Sequence, residues 1–180
     1  MYEAQTLNTI VGIATLAMQV IALALFCMYF MRRENADAAS TGKSIKSSVE
    51  RWGLWTGLAL TLAALAMALY YSSVLGFEAC SLCWWQRIFL FPQAILFAMA
   101  IHRGDGNRIA DYSIALSIFG LGVALYQHVL QMFPSALPCP ATGVSCAQRL
   151  LFELGYITFP LVAATLFSLL IVIMLFVRER

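Results

Sequence analysis

Charge is what this sequence lacks. Of its 180 residues only 11% are charged and 62% are hydrophobic, and 11 basic against 9 acidic side chains leave a net charge of +2. So small a surplus gives nucleic acid nothing to bind. Polar surface is also too scarce for a soluble body, because one domain of this length has too little interior to hide so much apolar area. The hydrophobic runs lack strict alternation and are long and rich in Leu and Ala, which excludes β-barrel strands. A backbone in hydrocarbon must then satisfy itself within helices. The opening residues, MYEAQT, carry no Lys or Arg, and the apolar run behind them exceeds a signal peptide's core. It reads as a retained helix rather than a cleaved leader. No convincing internal repeat is present.

What is there is a series of spans, at about Leu7–Met31, Gly53–Leu75, Trp84–Ile101, Ile109–Gln131 and Tyr156–Val177. Each is close to the roughly 20 apolar residues that a bilayer crossing requires. The expected fold is an all-α integral membrane protein, with a four-helix transmembrane bundle and one additional N-terminal helix. Residues 1–52 would hold that helix and a polar linker, RRENADAASTGKSIKSSVER, of flexible composition; residues 53–180 would form the bundle. Nine basic residues (Arg32, Arg33, Lys43, Lys46, Arg51, Arg103, Arg108, Arg178, Arg180) fall on one set of connections, and only Arg87 and Arg149 on the other. That bias puts the N-terminus outside, the C-terminus in the cytoplasm and two hairpin tips outward.

Four of the five cysteines fall on those tips, Cys80 and Cys83 on one, Cys139 and Cys146 on the other; Cys27 is alone inside the first span. On the oxidising side of a membrane, paired cysteines form disulfides. Structural staples, a zinc site and a redox relay all accommodate the four. A Cys-x-x-Cys loop is too small to remove much unfolded-state entropy, so it is a poor staple and a good redox centre. The six residues between Cys139 and Cys146, with Pro138 and Pro140 stiffening one side, do not repeat a zinc knuckle. Spacing and topology favour the relay.

Arg87 adds weight to it. It lies one helical turn beyond Cys83, and an arginine in the first turns of a span is a functional residue or a side chain snorkelling to the headgroups. Beside Cys83 it would favour a thiolate. Tyr126, Gln127 and His128 reach a similar depth from the fourth span, His128 being as readily an interfacial residue. Gln93 suits an inter-helix hydrogen bond, and Trp84 and Trp85 suit aromatic-belt anchors.

The runs CSLCWWQRIFLFPQ, YQHVLQMFPSALPCP and CAQRLLFELGYITFP resemble the DsbB/BdbC family of membrane disulfide-bond formation proteins, over about residues 53 to 177. The resemblance implies a four-helix bundle in the bacterial cytoplasmic (inner) membrane. It implies a protein dithiol:quinone oxidoreductase that reoxidises a DsbA-like thioredoxin-fold partner outside the cytoplasm and reduces a membrane quinone, ubiquinone or menaquinone. By position, Cys80 and Cys83 match the family's first pair, with Cys83 on the quinone side. Cys139 and Cys146 match the second pair, with Cys139 receiving the partner. Arg87 matches the quinone-contacting arginine, and His128 a histidine near the quinone. Gln86 stands where well-known members carry Glu, which removes an acidic proton acceptor from the site. The second loop lacks their longer insertion with its surface helix, and the first span is outside their pattern. A vitamin K epoxide reductase-like enzyme is a weaker resemblance, and a scaffold or transporter subunit with structural loop disulfides is the non-enzymatic alternative. No metal is implied.

Overall fold

The structure, a computed structural model, describes residues 2–34, 43–134, 145–149 and 151–178. Five helices account for most of them: α1 (Tyr2–Glu34), α2 (Lys43–Leu69), α3 (Ser81–Arg103), α4 (Gly106–Met132) and α5 (Phe159–Arg178). Each contains a stretch long and apolar enough to cross a membrane. The expected spans are all present. Among the described residues there is no strand, and a lone backbone pairing joins Glu153 to Ile157.

Helices α2, α3, α4 and α5 close a ring, each packed on its two neighbours, and α1 lies along the outside of α5. That is the four-helix bundle with one addition. The most apolar element, α5, is also the most enclosed, with 12 of its 20 residues buried. Close approaches need glycine. A Cβ on Gly120 would stand 2.6 Å from Cε1 of Phe167, and one on Gly53 2.8 Å from Cγ2 of Val177. Gln93 makes the expected inter-helix link: its buried Oε1 accepts from Ser113 Oγ at 2.8 Å and Ser117 Oγ at 3.3 Å.

Three boundaries differ from the sequence reading. The second half of the supposed flexible linker, from Lys43, is helical and continuous with α2. No Gly or Pro interrupts Lys43–Trp52, and extending a formed helix is cheaper than starting one. The last helix begins at Phe159 rather than near Tyr156, because Leu154 (φ 53°) and Gly155 (φ 80°) turn the chain back on itself. At its far end α2 widens into a π-turn, Tyr70–Val74, where Leu75 N donates to Tyr70 O at 3.2 Å.

Candidate active site

The first cysteine pair is set by a helix start. Cys80 has extended backbone (ψ 170°) and is the N-cap of α3; Cys83 follows in the first turn. The cap geometry and the three-residue step bring the two sulfurs within 3.0 Å. Cys80 is buried, and its thiol is pushed well above the ordinary cysteine range, first by its hydrogen bond to Cys83 and then by burial.

Gln127, 1% exposed on α4, reaches across to both sulfurs. Its Nε2 donates to Cys80 Sγ at 3.2 Å and Cys83 Sγ at 3.4 Å. Its Oε1 accepts from Gln86 Nε2 at 2.8 Å. Gln86 thus fixes which way the Gln127 amide faces, turning its N–H groups toward sulfur. Arg87 leaves α3 in the other direction. Its Nη2 donates to the Ala68 carbonyl of α2 at 2.9 Å, and its guanidinium lies 5.1 Å from the Trp84 ring centre. Ser72 Oγ shares that carbonyl at 2.9 Å. Single π-turns inside helices are frequent at functional sites, and this one begins two residues beyond Ala68.

Cys146 comes to the same place on a strap. Gln131 Nε2 holds the carbonyls of Cys146 (3.3 Å) and Gln148 (2.9 Å), and Arg149 Nε donates to Gln131 O at 2.7 Å. Arg149 thereby covers the carbonyls at the end of α4, where a cation is favoured. The strap leaves Cys146 1% exposed, in one buried cluster with Cys80, Leu82 and Leu130 against Cys83. Its Sγ is 3.6 Å from Ser81 Oγ. Cys139, with Pro138 and Pro140, lies outside the described residues.

From these sulfurs a mainly apolar cleft runs into the bundle, lined by Cys80, Cys83, Gln86, Arg87 and Cys146 at its polar end and by residues such as Leu90 and Leu166 deeper in. Its walls come mainly from α2, α3 and α5, with α4 contributing Gln127 and Gln131 and α1 contributing Val11. His128 is not among them: its Nδ1 pairs with Thr158 Oγ1 at 2.8 Å. Consecutive helical positions point about 100° apart, so Gln127 and His128 cannot both face the pair, and Gln127 does. Trp84 and Trp85 are exposed, as membrane-facing rings would be. Cys27 is exposed on α1, in a different helix from the cluster. Among the described residues no group of three or more His, Cys, Asp or Glu is arranged to hold a metal ion.

The family model for disulfide bond formation protein DsbB matches residues 50–177. The chain belongs to the DsbB family. It is similar to a probable disulfide formation protein of Chlamydia trachomatis, 41% identical over 56% of this chain and 73% of that one. It is also similar to disulfide bond formation protein C of Bacillus subtilis, 31% identical over 67% of this chain and 88% of the relative. The SPbeta prophage-derived disulfide bond formation protein B of Bacillus subtilis is 38% identical over 57% of this chain and 70% of its own length. No solved structure matches. Membership of the DsbB family makes this a multi-pass membrane protein of disulfide bond formation.

Sequence reasoning left Gln127, Gln131 and Arg149 without a role. A signal for two of them was present: Ser113, Ser117, Gly120, Ala124, Gln127 and Gln131 recur every three or four residues, and all six are buried on one face of α4. Small and polar residues in that register mark the inter-helix face of a span, and the two glutamines lie at its cysteine end.

Proposed function

We propose that this DsbB-family protein oxidises a DsbA-like, thioredoxin-fold dithiol partner outside the cytoplasm and passes the electrons to a membrane quinone, ubiquinone or menaquinone. The observation that carries the reading is the Cys80–Cys83 pair opening directly onto an apolar cleft beside Arg87. A quinone needs polar groups at its ring and an apolar slot for its tail. The residues fit: Arg87 has donors beyond the one given to Ala68. Gln131, on the cleft wall, also has a buried Oε1 with no donor among the described residues, which suits the hydroxyl of the reduced ring.

In the proposed relay the partner's thiolate attacks Cys139 of a Cys139–Cys146 disulfide, and Cys146 leaves as a thiolate. The partner's second thiol displaces Cys139, leaving the partner oxidised and the second pair reduced. Cys146 then attacks Cys80 of a Cys80–Cys83 disulfide and releases Cys83. Cys139 resolves that mixed bond, which restores the second disulfide and leaves the first pair a dithiol. The packing of Cys146 against Cys80 suits this step, since exchange depends on access of thiolate to sulfur. The quinone supplies the terminal acceptor, taking up the two electrons and two protons that the partner lost. Gln127 holds both sulfurs throughout, and Arg87 opposes negative charge developing at the cleft's polar end.

The distribution of basic residues supports placing the N-terminus and the cysteine segments outside a bacterial cytoplasmic membrane, with Arg178 inside. His128, paired with Thr158, would act on the quinone only at one remove.

The test is steady-state quinone reduction by purified protein with reduced partner in excess. Arg87→Met should raise the apparent KM for quinone roughly tenfold, the loss of about one charged contact, and leave thiol exchange with the partner unaltered. Unchanged quinone kinetics would remove Arg87 and the cleft from the mechanism.

A further inference from the structure

Helix α1 lies before the residues that match the DsbB family model, which begin at position 50. Its position is nevertheless not that of an appended anchor. Val11, 6% exposed, is part of the cleft wall, and Thr15 is fully buried. Gly12 closes on the segment before α5, where a Cβ would stand 3.2 Å from Cβ of Glu153. Gln19 Nε2 donates to Thr165 Oγ1 of α5 at 3.3 Å, and Gln19 Oε1 accepts from Tyr156 at 3.2 Å.

The most consequential contact is with the π-turn of α2. Asn8 Oδ1 accepts from the hydroxyl of Tyr71 at 2.6 Å. Tyr71 is 6% exposed and lines the cleft. Its ring is stacked at 28° on Phe77, centroids 6.2 Å apart, and meets Phe159 edge-on at 4.6 Å. Three residues earlier on the same strand of helix, the Ala68 carbonyl holds Arg87. A buried tyrosine hydroxyl within a membrane span needs a partner, and Asn8 provides it from outside the four-helix ring. One hydrogen bond therefore ties α1 to an aromatic wall of the cleft and to the helix segment that anchors its cation.

We infer that α1 is part of the quinone site, and that Asn8 is a positioning residue which, through Tyr71, fixes the aromatic wall against which the planar ring is received. This rests on the cleft being the quinone site. Asn8 touches no reacting atom, so its effect falls on quinone affinity rather than on the thiol steps.

The experiment measures equilibrium binding of a short-tailed ubiquinone and a short-tailed menaquinone to the purified full-length protein without partner, alongside quinone KM, kcat and Tm. Asn8→Leu should weaken binding of the preferred quinone roughly 3- to 10-fold, the loss expected from one neutral hydrogen bond, with KM rising in parallel and the deficit lying in KM. Tyr71→Phe, which removes the same bond from the other side and keeps the ring, should match it. The double variant should be no worse than either single, since both delete one contact, and Asn8→Asp, which retains an acceptor, should restore binding. Should Asn8→Leu fail to fold, Tyr71→Phe and its Tm decide the matter. Wild-type affinity in Tyr71→Phe, or additive losses in the double variant, would overturn the role of Asn8. If Arg87→Met weakens binding while these variants do not, only this inference fails; if the wild-type protein binds neither quinone, the cleft reading fails with it.

Discussion

The two ends of the bundle are built on opposite terms. At the end away from the cysteines, Gly53 of α2 and Gly106 of α4 meet Leu54 and Val177 so closely that an added Cβ on Gly106 would stand 3.1 Å from Leu54 Cδ1. Side chains there fill space and do little else. At the cysteine end, glutamine and arginine side chains from α3, α4 and the strap interlock, one helix widens into a π-turn, and a cleft opens between them. Packing fixes the scaffold at one end; hydrogen bonds fix sulfur at the other. Buried polar networks impose one arrangement when fully satisfied, and a pair of exchanging thiols needs one arrangement more than it needs density.

That contrast can be broken from either side. Cys83→Ser should give the largest effect, a complete loss of turnover with Tm little changed; turnover surviving in steady-state assays would take the first pair out of the pathway. Gln127→Leu comes next. It removes the donors to both sulfurs and leaves Gln86 unpaired, so turnover should fall roughly 10- to 100-fold, the range for lost buried hydrogen bonds to charged or polarised groups. A loss of Tm without a loss of turnover would make Gln127 mere packing. Gly53→Val should do the reverse: overpacking by about 1–3 kcal/mol lowers Tm by several degrees, while turnover per folded molecule stays near wild type. Cys27→Ala closes the series with no change in either quantity, because its exposed sulfur lies on α1, which carries no other cysteine.

The scaffold end was largely legible in the sequence, because runs of apolar residues of membrane-spanning length force helices whatever surrounds them. The cysteine end was legible in part. Cys80, Cys83 and Arg87 announce themselves by type and spacing, and Gln93 was correctly read as an inter-helix link. Gln127 was passed over for its neighbour His128, since a histidine draws attention by its chemistry while only helix phase decides which of the two faces sulfur. Arg149 counted as a charge on a loop, when in place it holds the strap carrying Cys146 to the end of α4. The π-turn at Tyr70–Val74 had no local signature. The groups that meet it, Arg87 at the Ala68 carbonyl and Asn8 at the Tyr71 hydroxyl, approach from elsewhere in the chain, and such tertiary contacts are invisible to periodicity.

The most direct test of the account is a single turnover by the first pair alone. A Cys139→Ser/Cys146→Ser protein, its Cys80–Cys83 pair reduced and excess reductant removed, is mixed with a short-tailed quinone under exclusion of oxygen, and quinol and free thiols are counted. The account predicts one quinol per protein and the loss of both first-pair thiols. A pair that stays reduced, with no quinol formed by a folded protein, would contradict it.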